Sequence, residues 1–119
     1  MIYKIRGGVA MSTTKYKLCP KFEKTFGILG KKWNGLIIDV LLTEGSQRFK
    51  DLALKVDKCS DRVLVERLRE LQDDGLISRQ IAADGRPTYQ LTQQGEDLRP
   101  IMSEIHSWAE KWFSLADCR

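Results

Sequence analysis

Cys19 stands directly before Pro20, with Lys15, Lys17, Lys21 and Lys24 around it and Glu23 the one acid in the stretch KYKLCPKFEK. Cysteine reacts as its thiolate, and several local features favour that form. Proline suits the first position of a helix, which places Cys19 at the N-cap, beside backbone N–H groups that lack helical partners. The partial positive charge at a helix N-terminus stabilises an anion. Backbone before a proline prefers to be extended, as an N-cap requires. The lysines add positive potential, although salt screens exposed charges and Glu23 opposes them. The chemistry would be attack on a quinone, an aldehyde or a hypohalous acid, or oxidation to a sulfenic acid and then a disulfide. A buried, inert thiol is the competing reading, and these residues alone leave both open.

The other two cysteines, Cys59 and Cys118, do not make a scaffold. Three cysteines cannot all pair within one chain, their spacing fits no zinc pattern, and His106 is the only histidine. This predicts free thiols in a reducing compartment. Cys59 precedes Ser60 and reads as a small apolar residue packed in a turn, or as a partner for Cys19. Cys118 lies near the end of the chain and reads as incidental. No Gly-rich loop, metal set or nucleophile–base pair is present, so no catalytic residues, no cofactor and no enzyme activity are predicted.

A second chemistry is contact with DNA. Arg48 and Lys50 suit phosphate oxygens. In SDRVLVERLRE, Ser60, Asp61, Arg62, Val65, Glu66 and Arg69 are the candidates on a recognition helix, with Asp61, Arg62, Glu66 and Arg69 pointing away from its buried stripe. An arginine can take guanine O6 and N7 together, an acid can accept from cytosine N4, and a valine can touch a thymine methyl. Arg79, Arg86 and Thr88 can reach phosphates or a minor groove. The plainer reading is a solvated helix laced by pairs such as Arg62 with Glu66. The surface charges alone favour that plainer reading.

These residues need elements to hold them. Pro20 starts a helix that Gly30 stops, with Phe22, Phe26 and Leu29 on one face. KKWNGLIIDVLLTEG places Trp33, Leu36, Ile37, Val40 and Leu41 at helical spacing, and Ile38 and Leu42 add a second apolar side. That helix is predicted to be central. A short helix follows with Phe49, Leu52, Ala53 and Val56 inward. Ser60 then caps a helix that buries Leu64, Leu68 and Leu71, with Val63 and Val65 beside them, and ends at Gly75. LISRQIAADGRPTYQLT alternates about Asp84-Gly85, which predicts two strands and a tight turn. Thr92 can cap a last helix, in which Leu98, Ile101, Met102, Ile105, Trp108, Ala109, Trp112 and Leu115 keep an apolar seam. Pro100 should kink or restart it. That seam reads most simply as a dimer interface formed with the first helix, rather than as a cofactor pocket.

Helices followed by a hairpin and a long helix describe a winged helix-turn-helix, mainly α with a small β-hairpin wing. Residues 15–119 would form this domain with dimerisation helices at both ends. Residues 1–14 read as a poorly ordered tail, and Met11 would serve as a start as well as Met1. Residues 1–32 hold eight Lys or Arg against one acid, so the positive charge gathers around Cys19. No apolar run spans a bilayer and MIYKIRGGVA lacks a signal-peptide core, which predicts a cytoplasmic protein without membrane partners.

The chain resembles the HxlR-type regulators, a MarR-like family of winged-helix transcription factors. The resemblance rests on Cys19-Pro20, ILGKKW at 28–33, RFKDL at 48–52, and S..VL.ERLRELQDDGLISR at 60–79. GRPTYQLT..G..L.P at 85–100 and the late Trp108 complete it, so it covers residues 19 to about 113. It departs from the family at Lys31, where glycine is more usual, at Cys59, more usually aliphatic, and at Val65, more usually small and polar. The resemblance implies a homodimer on an inverted-repeat operator in double-stranded DNA. It also implies a repressor, and a sensing role for Cys19 toward a reactive electrophile or oxidant. A bond from Cys19 to Cys59 across such a dimer would move the recognition helix directly. The dimer interface is expected at Phe22, Phe26, Leu98, Ile101, Ile105, Trp108 and Trp112. Two other functions compete: a winged-helix regulator with a structural cysteine, controlled by a small ligand or by abundance, and a protein-interaction module without DNA.

Overall fold

The computed structural model describes residues 16–118; the tail expected at residues 1–14 lies outside them. The elements are α1 (Pro20–Leu29), α2 (Asn34–Glu44), α3 (Phe49–Lys55), α4 (Asp61–Asp73), β1 (Ile77–Ile81), β2 (Pro87–Leu91), α5 (Gln93–Glu96) and α6 (Arg99–Trp112). A 3-10 turn, Leu115–Asp117, follows. The order is that of a winged helix-turn-helix.

Helix α2 is the centre of the core, as its two apolar sides require. Ile37, Ile38, Leu41 and Leu42 are buried with Leu52 of α3, Val56 just after it, Leu64, Leu68 and Leu71 of α4, and Ile77 of β1. Met102 is the one residue of α6 buried with them. Leu36, expected inward, is exposed, because α2 spends its two buried sides on the other apolar positions. Val65 is likewise exposed on α4, while Val63 is half-buried.

The junction between α1 and α2 also differs from the expectation. The helix begins at Asn34, and Trp33 caps it with a left-handed backbone, φ 81°. Such a conformation costs about 1–3 kcal/mol in a residue with a Cβ and persists only where its surroundings hold it. Two contacts hold it here: Asn34 Nδ2 donates to the Ile28 carbonyl at 2.8 Å, and Asn34 N–H to the Lys31 carbonyl at 3.1 Å.

β1 and β2 pair antiparallel, Ile77 with Leu91 through Ile81 with Pro87. Gln47 and Tyr89 exchange both backbone hydrogen bonds, at 2.9 and 2.7 Å, which ties the hairpin to the residues just before α3. At the hairpin tip Gly85 N–H bonds the Ala82 carbonyl at 2.9 Å, and Gly85 takes φ 83°. A glycine there lets the turn match the twist of the strands.

The last helix is two. Thr92 caps α5, accepting the Gly95 N–H at 3.2 Å, and α6 restarts at Arg99 with Pro100 in its first turn. Proline has no N–H to offer a helix interior, so the chain turns at Leu98. Leu98, expected in the dimer seam, instead packs half-buried on the subunit's own core.

Candidate nucleic-acid interface and thiol site

Helix α4 carries the expected recognition face. Ser60 Oγ accepts the Val63 N–H at 3.2 Å and fixes where the helix begins. The buried stripe Leu64, Leu68 and Leu71 leaves Asp61, Arg62, Val65 and Arg69 exposed on the other side, with Glu66 half-buried. Arg62 and Arg69 have no ion-pair partner among the described residues. The lacing expected of a merely solvated face, Arg62 to Glu66, is absent, so these guanidinium groups are available for bases or phosphates.

Arg67, absent from the sequence-based candidates, explains part of that freedom. Its Nε donates to the Lys32 carbonyl at 3.1 Å, and its Nη1 lies 3.3 Å from Glu70 Oε1 and 4.0 Å from Glu66. Lys31 Nζ reaches Glu70 Oε2 at 2.8 Å. The Lys31 hydrogen bond holds the Glu70 carboxyl below the usual range, with Arg67 assisting. These bonds join α4 to the connection between α1 and α2. They were not legible in the sequence, because Lys31 and Glu70 are 39 residues apart.

On the wing, Arg79 and Arg86 are exposed and, like Lys50 on α3, have no ion-pair partner among the described residues. Thr88 is half-buried, its Oγ1 donating weakly to the Gln80 carbonyl at 3.5 Å. Arg48 departs from the expectation of a free phosphate contact. Its Nη2 lies 2.5 Å from Asp84 Oδ2 at the hairpin tip. Asp84 Oδ1 accepts the Arg86 N–H at 3.0 Å, so one carboxylate joins the start of α3 to the wing. The Arg86 amide and then Arg48 pull the Asp84 carboxyl below its ordinary range.

Cys19 is exposed at the N-cap of α1, with the extended backbone expected before proline, φ −86° and ψ 114°. Its carbonyl accepts the Glu23 N–H at 2.9 Å, while its Sγ makes no capping bond. Lys17 and Lys21 flank it, both exposed; Lys15 lies outside the described residues. Cys59 is 5% exposed in the core between α3 and α4. Burial pushes its thiol up, against the smaller opposing pull of Arg67. It therefore packs as a small apolar residue. Cys118 is exposed, its thiol 3.5 Å from the Ser114 carbonyl. In the native protein, iodoacetamide should therefore label Cys19 and Cys118 and spare Cys59, which should react only in denaturant. Peptide mapping by mass spectrometry checks this; rapid native labelling of Cys59 would contradict the packing.

A third feature is apolar. Phe22 and Phe26 of α1 are more than half exposed, their ring centroids 4.8 Å apart. Leu36 of α2 and Ile101, Ile105, Trp108 and Trp112 of α6 are exposed as well. Helices α1, α2 and α6 enclose a groove of about 640 Å³, and at its edge His106 Nε2 meets Asp39 Oδ1 at 2.7 Å. An apolar patch of this extent marks an interaction surface. No helix among the described residues is long and apolar enough to cross a membrane, and no group of His, Cys, Asp or Glu among them could hold a metal ion.

Known proteins share this arrangement. The HxlR-like helix-turn-helix family profile matches residues 28–117. The HTH-type transcriptional regulator YodB of Bacillus subtilis is 37% identical over 102 residues, 84% of this chain and 90% of that protein. The structure of quinone-bound YodB superposes with a TM-score of 0.71 at 39% identity, covering 80% of this chain and 100% of that one. The redox regulator HypR in its oxidised form gives a TM-score of 0.71 at 30% identity, over 81% of this chain and 99% of that one. The described fold and the free cations on α4 accord with that kinship. The chain belongs to the HxlR-like helix-turn-helix family and is a transcriptional regulator, not an enzyme.

Proposed function

We propose that the protein is a cytoplasmic homodimeric repressor that binds an inverted-repeat operator and releases it when Cys19 is modified by an electrophile or oxidant. The observation that carries this reading is the position of Cys19. It is an exposed thiol at the start of α1, the helix whose Phe22 and Phe26 form part of the uncovered apolar face. Cys19, Phe22 and Phe26 are three and seven residues apart, so they lie along one side of that helix. Support comes from the relatives: YodB has been solved with quinone bound and HypR in an oxidised form.

In the reaction with a quinone, the Cys19 sulfur forms a bond to a ring carbon and the ring takes up the electron pair. The thiol proton and the displaced ring proton end on the two ring oxygens, leaving a hydroquinone thioether. Such a group on one end of α1 lies beside the seam between subunits. Two recognition helices in a dimer must meet half-sites roughly 34 Å apart, so a small rotation at the seam removes much of the specific affinity. On α4, Arg62 and Arg69 would meet base edges or phosphates together with Ser60, Asp61, Val65 and Glu66. Lys50, Arg79, Arg86 and Thr88 would hold the flanking backbone.

Cys19→Ser should bind the DNA upstream of its own gene as the wild type does, yet keep it when benzoquinone or diamide is added. Fluorescence anisotropy titration reads both. A Cys19→Ser protein that still lets go on treatment would end the sensing reading. The groove between α1, α2 and α6 favours one alternative, control by a small apolar ligand. Release of DNA with Cys19 unmodified, seen by mass spectrometry, would select it.

A further inference from the structure

The free arginines on α4 and the wing contrast with Arg48, which is already occupied. Its guanidinium is held by Asp84, a carboxylate at the tip of a hairpin, 36 residues away in sequence. Both side chains are partly exposed, so the pair forms at the surface rather than as part of the core. The place is a telling one. Arg48 caps the first helix of the helix-turn-helix, Lys50 lies in that helix's first turn, and Arg86 leads out of the wing turn. A carboxylate that takes an arginine with one oxygen and a backbone N–H with the other makes the same bonds as a phosphodiester oxygen pair. Asp84 is thus an internal anion among groups suited to the DNA backbone.

We propose that Asp84 is a built-in competitor for the phosphate that Arg48 would bind: it latches the wing to α3 in the free protein and yields Arg48 to DNA. The inference rests on the proposed reading of α4 and the wing as the DNA face. Its effect is to lower affinity for any duplex, because each engagement of Arg48 must first break the pair or do without that contact. A protein that searches a genome gains from this, since phosphate contacts alone supply most non-specific binding. The latch also has a signature in salt dependence. When Arg48 leaves Asp84 for a phosphate, it releases the same DNA counterion as a free arginine does, so the slope of log K against log salt is unchanged and only the affinity is lower. When Arg48 stays, one phosphate contact is missing. In that second case the slope is shallower by about 0.9 than that of a protein with Arg48 free.

Asp84→Asn tests this with little disturbance, because the amide oxygen can still accept the Arg86 N–H that closes the turn. The probe is a labelled non-operator duplex of roughly 25 base pairs, titrated by anisotropy at about 50–300 mM KCl. Asp84→Asn should bind roughly two- to five-fold more tightly at the low-salt end, the scale of an exposed ion pair. Its salt slope should equal that of the wild type, and a slope steeper by about 0.9 would overturn the yielding step by showing that Arg48 stays on Asp84 in the complex. In an Arg48→Ala background the same substitution should change neither. Equal affinity for wild type and Asp84→Asn at low salt would overturn the proposal. So would a gain that persists without Arg48, since that is the bulk effect of removing one negative charge. Weaker binding by Asp84→Asn would also overturn it, showing that Asp84 presents Arg48 to DNA rather than withholding it. If neither wild type nor any variant binds the duplex at low salt, the DNA face itself has been misplaced, a failure distinct from the others.

Discussion

Replacing Gly95 with alanine should lower stability by about 2–3 kcal/mol, the cost of overpacking a site with no room to yield. Gly95 is buried in α5, where the chain turns back from the wing over the core. A Cβ built there would lie 2.3 Å from the Leu76 carbonyl oxygen, 2.8 Å from Leu91 Cδ2 and 3.2 Å from Leu91 Cβ. The Leu76 carbonyl cannot retreat freely, because it accepts the Thr92 N–H at 3.0 Å and so closes the base of the hairpin. Relief must come from shifting α5, β1 or β2 together. A melt followed by circular dichroism, at fixed protein concentration, should fall by roughly 10–15 °C. Gly27→Ala is the matching control. A Cβ at Gly27 meets nothing within 4 Å, and replacing a mid-helix glycine with alanine stabilises by about 0.5–1 kcal/mol. If both variants melt like the wild type, the close approach at α5 is looser than described.

In the homodimer proposed above, of about 27 kDa or twice the 13.7 kDa chain, Ile105→Glu should leave a monomer. Ile105 is 52% exposed in the subunit and lines the groove shared by α1, α2 and α6. A glutamate there has water to face in the free subunit, so the fold and its helical spectrum should be retained. In an interface the same carboxylate would be buried without a partner, at a cost of several kcal/mol. Each monomer then holds one half-site. Losing the linkage between two half-sites should weaken operator binding by roughly 10²- to 10³-fold. Light scattering after gel filtration reads the mass, and anisotropy reads the affinity. A variant that stays dimeric would move the interface to another face.

Most of the fold was legible because its punctuation is chemical. Pro20, Ser60, Gly75, Thr92 and the Asp84-Gly85 turn each mark an element boundary that the structure keeps. Pro100 announced the restart of the last helix for a reason that depends on its missing N–H alone. Periodicity was less informative where a helix has two apolar sides. Leu36 and Ile37 are adjacent and equally apolar, yet one is exposed and the other buried. Spacing reports that a residue avoids water; it does not say whether its own core or another surface covers it. The same limit explains Leu98, which packs inward, and Ile101, which does not.

The site residues divide in the same way. Residue type and cap position located Cys19, and helical spacing located the exposed side of α4. The partners that decide which charges are free were hidden, because they come from distant sequence. Asp84 takes Arg48 across the wing, and Lys31 and Arg67 share Glu70 between two helices. Lys31, a departure from the family's more usual glycine, acquires a purpose only when α4 is placed against the end of α1.

That placement determines where movement can occur. The chain between α1 and α2 is fastened on both sides: by Asn34 to Ile28, by Lys31 to Glu70 and by Lys32 to Arg67. A hinge at residues 30–33 would have to break all three at once. Within one subunit, these bonds therefore tie the helix bearing the thiol to the helix bearing the reading face, as the two arms of a bracket. In the dimer proposed above, a change at Cys19 would be passed to α4 through these bonds, and the seam between two such brackets is where the operator fit would shift.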